Sequence, residues 1–259
     1  KMLTKKDLKF FHKNGYLILK NFLSKKEIIL AKKRLKKLEK TQKDGRGLSE
    51  PGLKKSLIHS LHKDKFFINL IEEKKKFSET VKEILNTDQI KCWNAKSNLK
   101  KKWNGSVEYF HQDFVYWNQL GFSTSNMTNC MIFLDDHRHK NGGLWIFPGS
   151  HKKFFKHVQF LNINSLQKYF IHPNLLDKIS KKYKPISLNE KRGSCIFFHS
   201  RLIHGSAHNI SNEDRNILLY DMASNKSFLK ANYEKIISFN RNKRIMFEKR
   251  ELQKRLSRL

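Results

Sequence analysis

The sequence predicts a mainly β domain, a sandwich or barrel, with α-helices flanking it. Three observations point there. From Gln89 onward, short apolar or alternating runs recur between turn residues, as they do in all-β cores. The stretch before it, residues 1–88, carries helical periodicity instead and reads as a buttress. Hydrophobic residues make up 38% of the 259 positions and include 20 Phe, enough for one core despite 30% charged residues.

The elements follow in order. TKKDLKFFHKNG has a cap at Thr4 and a glycine stop at Gly15, so it predicts a helix. YLILKNF is a short strand. SKKEIILAKKRLKKLEK opens with Ser24 three residues before Glu27, a capping box, and repeats Ile28, Leu35 and Leu38 near helical period. GRGLSEPG is a loop, and residues 56–86 again look helical. Strands are then expected near IKCWNAKSNL, SVEYFHQ, MTNCMIFLDD, GLWIFPG, SCIFFH, LIHGSAHN and RNILLYDM, with NGG (141–143) and SNED (211–214) as turns. Together they make a β core over residues 89–222, interrupted by a Lys-rich, partly helical insertion over 151–192. Residues 223–259 form a helical tail whose Ile245, Leu252, Leu256 and Leu259 share a stripe suited to docking. No repeat or linker divides the chain, so 1–259 reads as a single domain.

Composition excludes several classes. Four Pro and 11 Gly rule out collagen-like and low-complexity chains. The longest apolar runs are strand-sized, which excludes a membrane span, and KMLTKKDLKFFHKNG lacks the apolar centre of a signal peptide. Cys92, Cys130 and Cys195 are odd in number and unpaired in spacing, as expected of buried thiols in a reducing cytoplasm. The net charge of +31 suggests nucleic acid. Most of it is lysine spread along the chain with Asn, Ile and Phe, residues sharing AT-rich codons, so no specific nucleic-acid partner is expected.

The chemistry starts at His111-Gln112-Asp113. On an extended chain residues i and i+2 share a face, so an imidazole and a carboxylate can converge on one ion. The motif alone is weak, because about one match arises by chance in a chain this rich in His and acids. His62-Lys63-Asp64 is a second match, expected on a helix where the two diverge, and is assigned to a solvated face. A second cluster strengthens the first: His204-Gly205-Ser206, with Arg215 eleven residues on. Two histidines and one carboxylate are the facial triad that leaves positions open on Fe(II). An arginine with a hydroxyl fixes a distal carboxylate in a pocket. His199 is a competing third ligand, but lacks a Ser and Arg at the same spacing. His137, His139, His151 and His157 read as solvated; Trp93, Trp103 and Trp145 read as core.

HQDFVYW, NGGLWIFPGSHK and FFHSRLIHGSAHNISNEDR resemble the phytanoyl-CoA dioxygenase family of iron- and 2-oxoglutarate-dependent oxygenases. The likeness runs from the N-terminal helices to about Met222 and implies a double-stranded β-helix, the cupin-like jelly roll. It implies His111, Asp113 and His204 as iron ligands, and Arg215 with Ser206 on the distal carboxylate of 2-oxoglutarate. Asn98 and Met131 fall beside that co-substrate; Met131 departs from the namesake enzyme, which has a Trp there. Asn94, Lys96, Trp117 and Phe198 become substrate-pocket candidates. The activity implied is an O2-dependent hydroxylation of a small polar metabolite, anionic ones included, releasing succinate and CO2. Asp113 favours hydroxylation, since related halogenases lose this carboxylate. A catalytically silent binding member of the fold and a nucleic-acid demethylase are the alternatives. Monomer and homodimer are both compatible with the sequence. The insertion, with Lys152, Lys153, Lys156, Phe154, Phe155 and Phe160, is expected to act as a lid, against the rival of a rigid excursion.

Overall fold

The computed structural model describes residues 3–41, 56–105, 107–122, 124–159, 169–225 and 227. The elements run α1 (Lys5–Asn14), β1 (Tyr16–Leu19), α2 (Lys25–Thr41), β2 (Ser56–Ile58), α3 (Lys65–Glu72), α4 (Lys75–Leu85), β3 (Ile90–Lys100), β4 (Glu108–His111), α5 (Phe114–Gln119), β5 (Met127–Phe133), β6 (Leu144–Ile146), β7 (Val158–Gln159), β8 (Tyr169–Phe170), α6 (Pro173–Lys182), β9 (Ile186–Ser187), β10 (Cys195–His199), β11 (His204–Ser206) and β12 (Arg215–Ser224). Six strands form one antiparallel sheet in the order β1-β10-β5-β12-β3-β2, and four form a second, β4-β11-β6-β9. This is the jelly roll that the motifs imply.

Side-chain alternation on the large sheet separates two cores. Cys130, Ile132, Cys195, Phe197, Leu218, Tyr220 and Met222 point outward and pack against helix residues such as Phe67, Phe77, Val81 and Ile84. Their sequence neighbours Met131, Phe133, Ile196, Phe198, Ile217 and Leu219 point inward and meet Leu144 and Ile146 of the small sheet. The central strand β5 is buried along its whole length, its polar Thr128 and Asn129 included.

Helix ends follow their caps. Asp7 N–H donates to Thr4 Oγ1 at 3.1 Å while Thr4 N–H donates to the Asp7 carboxylate at 2.9 Å. Ser24 and Glu27 reciprocate in the same way at the start of α2. Gly15 stops α1 at φ 81°, and a Cβ there would lie 2.5 Å from the His151 ring.

Several expectations are corrected. Residues 56–86 are not helical throughout: Ser56–Ile58 pairs with β3, and a short 3-10 turn at Leu61–Lys63 precedes α3. Ser60, at φ 59°, breaks the pattern before that turn. His62 is half-buried rather than solvated, accepting from Ala95 N–H at 3.2 Å, and Asp64 caps α3. Trp103 is 65% exposed, not core. His137 is fully buried, stacks on Phe133 and accepts from Leu144 N–H at 2.6 Å. His151 is buried as well, and His157 accepts from Gln112 N–H.

Phe155, assigned to the lid, lies in a core with Phe147, Ile171, Ile179 and Ile203, so it cannot swing over a ligand without breaking that core. Phe160 and the C-terminal stripe lie outside the described residues. No helix among the described residues is long and apolar enough to cross a membrane.

Candidate metal centre

His111 ends β4 and His204 begins β11; the two are direct partners across the small sheet, with ring centroids 4.4 Å apart. Asp113 is not on an extended strand, as the i, i+2 argument assumed. Its backbone is already helical (φ −57°, ψ −28°) at the start of α5, and the turn from strand to helix swings the carboxylate beside both rings. Its two oxygens lie 3.3 Å from His111 Nε2 and 3.6 Å from His204 Nε2. One ligand atom from each residue falls within 4.8 Å of the others, and all three side chains are buried.

The outer ring nitrogens are fixed too. His111 Nδ1 donates to Tyr109 O at 2.7 Å and His204 Nδ1 to Leu202 O at 3.0 Å, which leaves each Nε2 lone pair facing the shared centre. This donor set fits a divalent metal with imidazole and carboxylate ligands. The electrostatics agree. Burial works against a charged His111, but the Asp113 carboxylate outweighs it and raises its pKa. Burial lowers His204 to about 4. Burial also disfavours the Asp113 carboxylate, yet the two imidazoles and Lys96 hold it ionised, well below the usual range. A proton shared by this cluster is what a cation would replace.

Gln112, between the two motif residues, holds the turn. Its side chain is fully buried, donates to Lys153 O at 2.8 Å and accepts from Phe155 N–H at 2.8 Å. Asn129 on β5 donates from Nδ2 to Asp113 Oδ2. Neither was assigned a role from the sequence. The signal for Asn129 was its place two residues before Met131, on the same face of an otherwise apolar strand.

A second group gathers at the start of β12. Arg215 is buried and donates from Nη1 to Gly142 O at 3.0 Å, while its Nε has no partner. Burial lowers it to about 10, still protonated at neutral pH. Its partner across the strand pair is Lys100, also buried, whose Nζ donates to Ser206 Oγ at 2.8 Å and to Ala207 O. Two buried cations and a hydroxyl therefore converge, and Lys100 is the member the sequence reading missed. Asn94, Lys96, Asn98 and Lys100 alternate along β3, which is the pattern that could have found it. Asn98 donates to Glu108 Oε1 at 3.2 Å. Met131 packs into the inter-sheet core.

The substrate candidates divide. Phe198 lies against the His204 ring, with centroids 4.9 Å apart. Asn94 donates to Asp221 Oδ2 at 2.6 Å, and Lys96 Nζ stands 3.9 Å from the same oxygen. Trp117 sits in a separate apolar cluster with Trp93, Leu120 and Phe122. His199 caps the turn to Arg201, accepting its N–H at 3.0 Å, and lies outside the triad.

A family model of the phytanoyl-CoA dioxygenases matches residues 11–217. The chain belongs to the phytanoyl-CoA dioxygenase family. The matched stretch contains the triad, Ser206, Lys100 and Arg215. Among relatives, an ectoine dioxygenase of Stutzerimonas stutzeri is 27% identical over 81% of this chain and 73% of its own length. An L-proline trans-4-hydroxylase of Streptomyces griseoviridis is 23% identical over 81% of this chain and 82% of its own. In structure, EctD from S. alaskensis with 2-oxoglutarate and 5-hydroxyectoine superposes at a TM-score of 0.74, with 20% identity, covering 87% of this chain and 78% of that one. The α-ketoglutarate-dependent carbocyclase SnoK follows at 0.66 and 16%, covering 85% and 84%. These superpositions establish a shared fold for this member of the family.

Proposed function

We propose that the chain is a mononuclear non-haem iron dioxygenase that uses 2-oxoglutarate to hydroxylate a small polar metabolite. The observation that carries this is the buried triad of His111, Asp113 and His204, with both imidazole Nε2 atoms aimed at Asp113 by backbone carbonyls behind them. These three would hold Fe(II) as a facial triad of two imidazoles and one carboxylate, a donor set that leaves positions for further ligands. Arg215, Ser206 and Lys100 bind the distal carboxylate of 2-oxoglutarate, since two buried cations suit an acid and little else. Asn98 and Met131 border it, and Asn94, Lys96, Trp117 and Phe198 form or back the substrate side.

When bound, iron with 2-oxoglutarate and O2 supplies an oxidant able to break a C–H bond, with succinate and CO2 as co-products. The chain's own part is positional. Asn129 and the two imidazoles fix the Asp113 carboxylate, and Gln112 fixes the turn that presents it. The aliphatic wall of Met131, Ile217 and Leu219 keeps water from the reacting centre. The names of the ectoine and proline relatives support a small metabolite as substrate.

The test pairs metal content with turnover. The wild type should bind one Fe(II) per chain and release succinate when a substrate is supplied. Asp113→Ala removes a charged ligand and no core volume. It should fold, lose iron, and drop in turnover about a thousandfold or more. Unchanged iron stoichiometry in that variant would sink the assignment.

A further inference from the structure

One row of side chains crosses the inner face of the large sheet beside the metal centre and supplies no metal ligand of its own. Asn94 on β3, Asp221 on β12, Asn129 on β5 and Phe198 on β10 are successive cross-strand partners. Paired residues in an antiparallel sheet point to one face, so all four project into the space between the sheets. Asn129 reaches Asp113 and Phe198 reaches His204, which puts the row directly beside the triad.

The row holds two buried acceptors that nothing satisfies. Asp221 is 1% exposed and Asn129 is fully buried, yet Asp221 Oδ1 and Asn129 Oδ1 have no hydrogen-bond partner. A buried carboxylate oxygen without a donor is costly, and two such acceptors on adjacent strands call for a donor between them. The other Asp221 oxygen is engaged by Asn94 at 2.6 Å and by a longer ion pair with Lys96 at 3.9 Å, so the open acceptor of this carboxylate is Oδ1. A buried acid on the inner face, and beside it a lysine whose side chain is 29% exposed, match a ligand carrying both charges.

We infer that Asp221 selects substrates bearing a protonated nitrogen, taken up by Asp221 Oδ1 and Asn129 Oδ1, with the neighbouring Lys96 offering a partner to the ligand's anionic group. The substrate class is a small zwitterion, a protonated nitrogen and a carboxylate carried on one molecule. This rests on the proposed function and narrows it. An anionic substrate without a cationic nitrogen leaves both buried acceptors unpaired. Asp221 thus acts as a specificity residue on the substrate and takes no part in holding the metal.

The test uses the iron-loaded protein with 2-oxoglutarate, kept anaerobic for binding by calorimetry and then exposed to O2 for succinate release. The probes are matched pairs differing only at nitrogen: L-proline against tetrahydrofuran-2-carboxylate, and a set of α-amino acids, ectoine and cyclic amino acids against their N-acetyl or deaminated counterparts. At least one cationic member should bind and stimulate turnover about tenfold to a hundredfold better than its counterpart. Asp221→Asn should erase that preference by raising the KM of the cationic probe, while iron content and 2-oxoglutarate affinity stay at wild-type values. Asp221→Glu should restore part of it. Equal or better binding of the uncharged counterparts overturns the inference, as does a preference that survives Asp221→Asn or the absence of binding by every cationic probe. Failure of the wild type to hold iron or 2-oxoglutarate would be a different result, since it strikes the proposed function before any substrate is added.

Discussion

The two faces of the large sheet are made by the same strands and have opposite characters. On the outer face, Cys130, Phe197, Leu218 and Tyr220 are all fully buried against helices, and the hydroxyls there are satisfied: Tyr220 donates to Phe67 O at 2.8 Å, Ser97 to Ile217 O at 2.6 Å and Thr128 to Phe198 O at 3.0 Å. On the inner face the same sheet carries Asn129, Asp221, Arg215 and Asn98 beside its apolar side chains. Four of the eleven buried polar atoms without partners among the described residues belong to these four side chains. The outer face is closed and satisfied; the inner face leaves polar groups waiting. A period-two backbone lets one strand serve stability and recognition at once, with little interference between them.

That separation can be broken first by a volume change on the outer side. Phe197→Ala removes a fully buried ring packed 5.6 Å from that of Phe77 and should cost about 3–5 kcal/mol of stability. Iron stoichiometry and the KM for 2-oxoglutarate should not move at a temperature where the variant is folded. Chemical denaturation and steady-state kinetics on one preparation decide it; a large KM change would mean that the two faces are coupled.

The converse is Arg215→Ala. Losing a buried, charge-assisted contact should weaken 2-oxoglutarate binding by about 2–4 kcal/mol, while Fe(II) binding survives. A normal Michaelis constant for 2-oxoglutarate would refute the clamp.

How much of this division was legible in the sequence depends on what carried the signal. The seven core strands were visible as apolar runs, and the triad and Arg215 through the spacing of HQD, HGS and NEDR. The turn at Asp113 was not, because it depends on Gln112 reaching backbone groups of Lys153 and Arg201, 41 and 89 residues away. Lys100, Asn129 and Asp221 were hidden for a related reason. Each is an ordinary polar residue in its own strand, and only the register between strands turns them into a clamp and a row. The buried histidines were misjudged because turn-like sequence around His137 and His151 says nothing about the helices and strands that cover them.

Protonation offers a test of one of those corrections. Burial pushes the pKa of His137 far below its ordinary 6.5, with Arg215 and Lys100 adding to the shift. The unfolded chain therefore takes up a proton below pH 6.5 that the folded chain refuses. Stability from this group is complete above 6.5 and lost as pH falls, at about 1.4 kcal/mol per pH unit. His137→Gln keeps an acceptor for Leu144 N–H but cannot titrate. Between pH 6.5 and 5, iron-free wild type should lose about 2 kcal/mol more than this variant in urea unfolding. Parallel slopes would mean that His137 is open to protons, and so to solvent, at its place against Phe133.

The smallest effect expected concerns the strand residue that touches both the metal centre and the polar row. Asn129 donates to the Asp113 carboxylate and is the cross-strand partner of Asp221, and its own side-chain oxygen has no hydrogen-bond partner. Asn129→Ala should weaken Fe(II) binding about tenfold to a hundredfold, the usual cost of removing a support behind a metal ligand. The folded state should be little harmed, because the substitution also removes an unsatisfied buried oxygen and leaves the apolar outer face untouched. Asn129→Asp separates support from charge. It keeps the size but places a third carboxylate beside Asp113 and Asp221, so the metal-free protein should lose stability as pH rises and iron should partly restore it. If Asn129→Ala instead lowers stability by as much as Phe197→Ala with iron affinity intact, then the inner face is as structural as the outer one, and the division of labour between the faces fails at the residue where it should be clearest.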